Sequence, residues 1–181
     1  MYQQVTSART TGLETKFVSL SELTETKAGR IEGYASRFGE PDQSGDVVMP
    51  GAFHRSLERL AAAARKVKFL WQHDPATPIG VWNEVREDET GLIVSGEILT
   101  KVAQGADALA LISAGAIDGL SIGYRTIRAE KNAETGGRKL HEIDLWEVSL
   151  VTFPMLPTAR AMLGGGSPDS MEQALAEALM G

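Results

Sequence analysis

Gly119-Leu120-Ser121-Ile122-Gly123-Tyr124 decides what kind of fold this chain needs. Apolar residues alternate with small or polar ones, the pattern of a strand buried on one face only. Leu120, Ile122 and Tyr124 then share the core face, and Ser121, Gly123 and Arg125 the other. A glycine beside the serine leaves room there for another backbone to approach. No G-x-S-x-G elbow surrounds Ser121, which argues against an α/β-hydrolase.

Two further segments each place one reactive side chain in an apolar, strand-like run: Leu70-Trp71-Gln72-His73-Asp74 and Leu145-Trp146-Glu147-Val148-Ser149-Leu150. A serine hydroxyl is a poor nucleophile until an imidazole takes its proton, and the imidazole needs a carboxylate to fix its tautomer. The chain order His73, Ser121, Glu147 differs from the three familiar serine-hydrolase orders, so the triad implies a different fold.

Of the three histidines, His54 falls on the polar side of a helix, four residues before Glu58, and His141 opens a strand beside Glu142. His73 ends the run from Val67, where Pro75 is expected to force the chain out of the sheet. That makes His73 the candidate base. Glu147 interrupts an apolar strand, and burying an unpaired carboxylate costs several kcal/mol, so it is either exposed or paired. Parity gives Trp146, Val148 and Leu150 the core face and puts Glu147 and Ser149 opposite. Ile143 and Leu145 break that parity, which points to a bulge near Trp146. Taken singly, each of the three residues has an ordinary structural explanation: a satisfied histidine, a strand serine, an edge-strand glutamate. A metal site is weaker still, since no H-E-x-x-H or comparable spacing is present. Neither a metal nor a cofactor is expected.

Around these segments strand-like runs dominate: 16–20, 30–38, 67–72, 79–85, 92–99, 120–127 and 140–152. Asp88-Glu89-Thr90-Gly91 reads as a hairpin connection, and the polar stretch 129–139 as a mobile hairpin tip. Two helices are expected. One spans 52–65, entered at Pro50-Gly51, with Phe53, Leu57, Leu60, Ala61 and Ala64 as its apolar stripe. The other spans 102–114, with Thr100 as N-cap, Leu109, Ile112 and Ala116 on one face, and Gly115 as the stop. Strict strand–helix alternation is absent, so the fold class is mostly β with inserted helices, an antiparallel sheet or barrel.

The 181 residues suit one domain with short appendages. Hydrophobic content of 43% and charged content of 23% are ordinary for a globular chain. The absence of cysteine excludes disulfides, thiolate zinc sites and a cysteine nucleophile. No run is long enough for a membrane span, and Met1 to Ser7 has no apolar core for a signal peptide, so a cytoplasmic location is expected. A net charge of −6 argues against a general nucleic-acid binder. The expected organisation is a flexible segment 1–14, a barrel domain 15–163, and a linker plus helix 164–181. Gly164-Gly165-Gly166 opens the linker, and Met171, Ala174, Leu175 and Leu179 form a stripe too short to be stable without a partner.

The chain resembles the prohead (capsid-maturation) proteases of tailed bacteriophages. The resemblance covers about residues 30–162 and is carried by an ordered set: Gly33-Tyr34-Ala35-Ser36-Arg37-Phe38-Gly39, Asp42, Gly45 to Phe53, Trp71-Gln72-His73-Asp74 with Pro78-Ile79-Gly80, Gly91-Leu92, Gly119 to Tyr124, and Glu147 to Pro154. It implies the fold of the herpesvirus assemblin proteases, a seven-stranded, mostly antiparallel barrel with helices around it. It also implies a serine endopeptidase using His73, Ser121 and Glu147, with Asp144 or His141 as substitutes for the acid. By the same resemblance, oxyanion donors are expected among the backbone N–H groups of the loop 154–161, with Arg160 assisting by analogy with the assemblins. Gly123, beside Ser121 on its face, is the residue expected on the substrate side.

The resemblance further implies action inside the assembling procapsid, in the host cytoplasm. The substrates would be scaffolding protein, the scaffold-like arm of the major capsid protein, and the protease itself. Homo-oligomerisation is left open, and no nucleic acid or membrane partner is implied. Two other readings stand beside it: an inert scaffold or assembly chaperone that binds coat protein, and an esterase or amidase of small substrates.

Overall fold

Strand β7 (Arg138–Val151) is the member on which the rest is assembled. One edge pairs antiparallel with β6 (Gly119–Lys131). The other pairs parallel with β3 (Lys68–Trp71) at residues 147–150 and with the two-residue β2 (Val47–Val48) at 139–140. From β3 the sheet continues antiparallel through β4 (Asp74–Glu87), β5 (Gly91–Ile98), β1 (Arg30–Arg37) and β8 (Ala161–Leu163). Two helices, α1 (His54–Ala62) and α2 (Ala103–Ser113), are inserted. This computed structural model describes residues 29–164. The expected strand 16–20, the segment 1–14 and the tail beyond Gly164 lie outside the described residues.

The class is mostly β with two inserted helices, as expected. Among the described residues the sheet has eight strands, and it is not closed, so a seven-stranded barrel is not what these strands form. Six of them answer to expected runs; the two additional strands, β2 and β8, have two and three residues and so no periodicity to read. β6 and the approach to β8 meet at one isolated bridge, Gly119 to Arg160, flanked by Leu120 N donating to Ala159 O (2.9 Å) and Ala161 N to Asp118 O (2.8 Å).

The core holds β3 and β4 against β7. Phe69 and Trp82 stack at 4.0 Å between ring centroids, and the Trp82 indole N–H donates to Val148 O at 3.2 Å. Truncating such a buried aromatic typically costs about 3–5 kcal/mol. The connection after Glu87 is the turn the sequence suggests: the Asp88 carboxylate accepts the N–H groups of Thr90 and Gly91 at 2.8 and 2.9 Å.

Both helices end in the same motif. In α2, Ala116 N donates to Leu111 O and Gly115 N to Ile112 O, with Gly115 at φ 67°, as the sequence suggests. In α1 the same pair runs from Arg65 to Leu60 O and Ala64 to Ala61 O, but the left-handed position is Ala64, at φ 49°. That stop carries no glycine signal, so α1 is shorter than the stretch 52–65. Ala61 and Ala64 are exposed rather than part of the stripe. The buried place goes to Ser56, whose hydroxyl accepts Leu145 N at 2.8 Å. Nor does Thr100 cap α2: the N-cap position is Val102, without a side-chain cap, and Ala116 is exposed.

Three strand expectations also change. Pro75 does not end the sheet, because β4 begins at Asp74 and residues 75–77 bulge out between the pairs Trp71–Asp74 and Leu70–Pro78. The stretch 129–139 is strand at both ends, 129–131 and 138–139. Only its tip, 132–137, is a turn, and that tip is docked: Thr135 Oγ1 donates to Gly45 O (2.6 Å), and the Asp46 carboxylate accepts Arg138 N (2.8 Å) and its guanidinium. Arg138 in turn holds the Asp46 carboxyl below its ordinary pKa. The bulge near Trp146 is present, since Gly123 pairs with Glu147 and Tyr124 with Leu145. Trp146 is therefore the extra residue, 57% exposed, and Leu145 takes the core place.

Candidate active site

His73 is the second residue of a two-residue hairpin between β3 and β4. Its φ is 62° and that of Gln72 is 51°, so both central residues are left-handed. Such turns normally use Asn-Gly, and side chains with a Cβ resist this conformation. The tip is held from β7 and the residue after it. Gln72 N donates to Leu150 O (3.0 Å), the Gln72 amide to Thr152 Oγ1 (2.8 Å), and His73 N to Ser149 Oγ (3.1 Å).

Thus fixed, the imidazole reaches the two strands beside it. Its Nε2 lies 2.9 Å from Ser121 Oγ and its Nδ1 2.6 Å from Glu147 Oε1. Since the carboxylate only accepts, Nδ1 carries the proton and donates it, leaving the Nε2 lone pair for the serine O–H. Ser121 is 4% exposed and Glu147 8%, while the His73 side chain is 42% exposed. The hydrogen bond that His73 donates to Glu147 raises the His73 pKa above 6.5, and the Glu147 charge adds to this against an opposing effect of burial.

The order of these groups is set by register. On β6 and β7, Ser121 is opposite Ser149 and Gly123 opposite Glu147. A Cβ on Gly123 would sit 2.0 Å from Glu147 Oε1, so the space beside this glycine is filled by the carboxylate, not left for a substrate. Ser149, whose part the sequence did not reveal, donates to Glu147 Oε2 at 2.6 Å.

The other candidates are placed elsewhere. His141 is paired with Glu130 (3.1 Å), and His54 with Glu58 (3.3 Å) on the surface. Asp144 belongs to a surface cluster with Arg59 (2.9 Å) and Arg125 (3.4 Å), and is held below its ordinary pKa chiefly by Arg59 and the Trp146 indole. Arg160 bridges Gly119 through its backbone, but its guanidinium is held by Asp118 and Pro157 O. Among the described residues, no group of three or more His, Asp or Glu side chains is arranged to hold a metal ion, and no helix is long and apolar enough to cross a membrane.

A cleft of about 200 Å³ opens onto Ser121. β6 lines one side of it. The end of β1, the loop carrying Asp42 and Asp46, Val48 of β2, Arg138 of β7, and Met155 with Leu156 line the rest. The arrangement places a hydroxyl, an imidazole and a carboxylate in one hydrogen-bonded series beside this cleft.

Residues 15–174 match the caudovirus prohead serine protease family. The chain belongs to that family. It is 36% identical over 130 residues to the prohead protease of Enterobacteria phage HK97, covering 71% of this chain and 56% of that protein. It is 30% identical over 134 residues to the prohead protease of Escherichia phage T5, covering 72% and 61%. The chain thus spans about three fifths of the length of these relatives. Among solved structures it is similar in fold to the bacteriophage T4 capsid assembly protease, with a TM-score of 0.56 at 12% identity, over 68% of this chain and 82% of that one.

Proposed function

We propose that this chain is a serine endopeptidase of prohead maturation, with Ser121 as nucleophile, His73 as general base and acid, and Glu147 as the group that orients His73. The observation that carries the reading is the unbroken array from Ser121 Oγ through the imidazole to Glu147, at 2.9 and 2.6 Å, in a chain of this family.

The steps follow from the atoms. Ser121 Oγ attacks the scissile carbonyl carbon as its proton passes to His73 Nε2, and Glu147 steadies the imidazolium formed. Collapse of the tetrahedral adduct breaks the C–N bond, and Nε2 delivers the proton to the departing amine. Water then attacks the acyl-serine ester, again losing a proton to Nε2, and Ser121 is released with the acid product. Oxyanion donors are assigned to the region of Arg160, whose backbone is bridged to β6 two residues before Ser121. Gly123 serves by admitting the Glu147 carboxylate.

The name prohead protease, carried by both relatives, supports action on the prohead. Within it we read the substrates as scaffolding protein or the scaffold-like arm of the major capsid protein, and the protease itself. We read 15–163 as the catalytic unit, related to the seven-stranded assemblin barrel through the Gly119–Arg160 bridge. Segment 1–14 and the tail 164–181 are read as appendages, the tail for recruitment. An intact array argues against an inert assembly chaperone.

Incubating the full chain with the capsid-protein precursor of its phage, beside Ser121→Ala, tests the reading. Wild type is expected to give discrete fragments and the variant none. Equal fragmentation by a folded Ser121→Ala chain would overturn it.

A further inference from the structure

We infer that Ser149 is a positioning residue of the Ser121–His73–Glu147 array, one hydroxyl fixing both the backbone that carries the imidazole and the carboxylate that orients it. The inference rests on the reading of Ser121 as an activated nucleophile, and it adds a fourth residue to that reading.

The direction of each bond is forced. A backbone N–H can only donate and a carboxylate can only accept, so the hydroxyl must accept from His73 N (3.1 Å) and donate to Glu147 Oε2 (2.6 Å). Glu147 Oε1 then accepts from His73 Nδ1 at 2.6 Å. The bonds close a ring: His73 backbone, Ser149, Glu147, His73 imidazole. Both ends of one histidine are therefore referred to a single hydroxyl, which is 0% exposed.

Two features make that reference necessary. His73 sits at φ 62°, a conformation a non-glycine residue keeps only where its surroundings determine it, and the Ser149 bond is one of the few that do so. Opposite Glu147 stands Gly123, which has no Cβ to limit the carboxylate's swing, so Oε2 depends on Ser149 for its orientation. A buried polar group that loses its partner is destabilised, and here two would lose theirs together. Ser149 does not line the cleft, so its loss acts on the array and not on a bound chain.

The test compares full-length wild type, Ser149→Ala, Ser149→Cys and Ser121→Ala by their rate of labelling with a fluorophosphonate probe, and by the NMR resonance of the proton on His73 Nδ1. Labelling by Ser149→Ala is expected to fall at least tenfold, with the Nδ1 proton moved upfield or lost to exchange. Ser149→Cys fills the site with a thiol that bonds only weakly, and is expected to behave likewise; it decides the matter if the alanine variant does not fold. Labelling within twofold of wild type, with an unmoved Nδ1 proton, would overturn the inference. Wild type that takes no label at Ser121 would instead sink the serine-hydrolase reading, and the Nδ1 comparison would still decide what Ser149 does.

Discussion

Ser121 and Ser149 face each other across β6 and β7, and His73 is bonded to both, to Ser121 by its imidazole (2.9 Å) and to Ser149 by its backbone N–H (3.1 Å). The histidine thus spans a register pair of serines from the tip of a different hairpin. The bulge at Trp146 makes this work. With the extra residue there, Leu145 and Val148 both stay in the core while Glu147 is opposite Gly123 and beside the imidazole.

Gly123→Ala is expected to remove activity while leaving the fold. The added methyl would stand 2.0 Å from Glu147 Oε1 and 2.7 Å from its Cδ, so the carboxylate must swing away from His73. Because the atom displaced is the end of a flexible side chain, the loss of stability should be small. Circular dichroism and thermal melting beside a cleavage assay would check this, and an active Gly123→Ala chain would contradict it.

Glu147→Gln should lower the rate by about 10⁴-fold if the precedent of other serine proteases holds, with the fold intact. The pH dependence has a definite sign. A base must be neutral to act, and Glu147 raises the His73 pKa above 6.5, so wild-type activity should rise as pH passes through that raised value. In Glu147→Gln the largest raising cause is gone and the effect of burial remains, so the acid limb of residual activity should move to lower pH. Stability runs the other way: the pair's contribution is fully present below pH 6.5 and is lost as pH rises through the raised value. Rate profiles of the two chains give the shift directly.

Ala64→Gly should stabilise the protein by up to about 1 kcal/mol, because the residue occupies a left-handed helix-stop position that penalises a Cβ. Chemical denaturation would register the change as a higher midpoint at constant slope. An unchanged or lower midpoint would mean that the turn carries no such penalty.

The strand class and the three polar residues were legible because each sits in a run whose period is short and local. Ser121 and its alternation with Leu120 and Ile122 needed nothing beyond the segment itself. What was not legible depends on pairing between distant strands. The role of Ser149 requires knowing that it is opposite Ser121 and beside the backbone of residue 73. In the sequence alone Gly123 looks like clearance for a substrate, because only the register shows the glutamate that fills the space. The left-handed Gln72-His73 turn was hidden because neither residue is a turn former, and Pro75 suggested an exit from the sheet. Ala64 misled for the same reason: a helix stop without glycine leaves no mark.

The central claim, that His73 activates Ser121, is tested most directly by mapping where a fluorophosphonate attaches on the full chain. The account predicts one adduct per chain, on the peptide containing Ser121, absent from Ser121→Ala and reduced to background in His73→Ala. An adduct on another residue, or equal labelling of Ser121 in a folded His73→Ala chain, would contradict it.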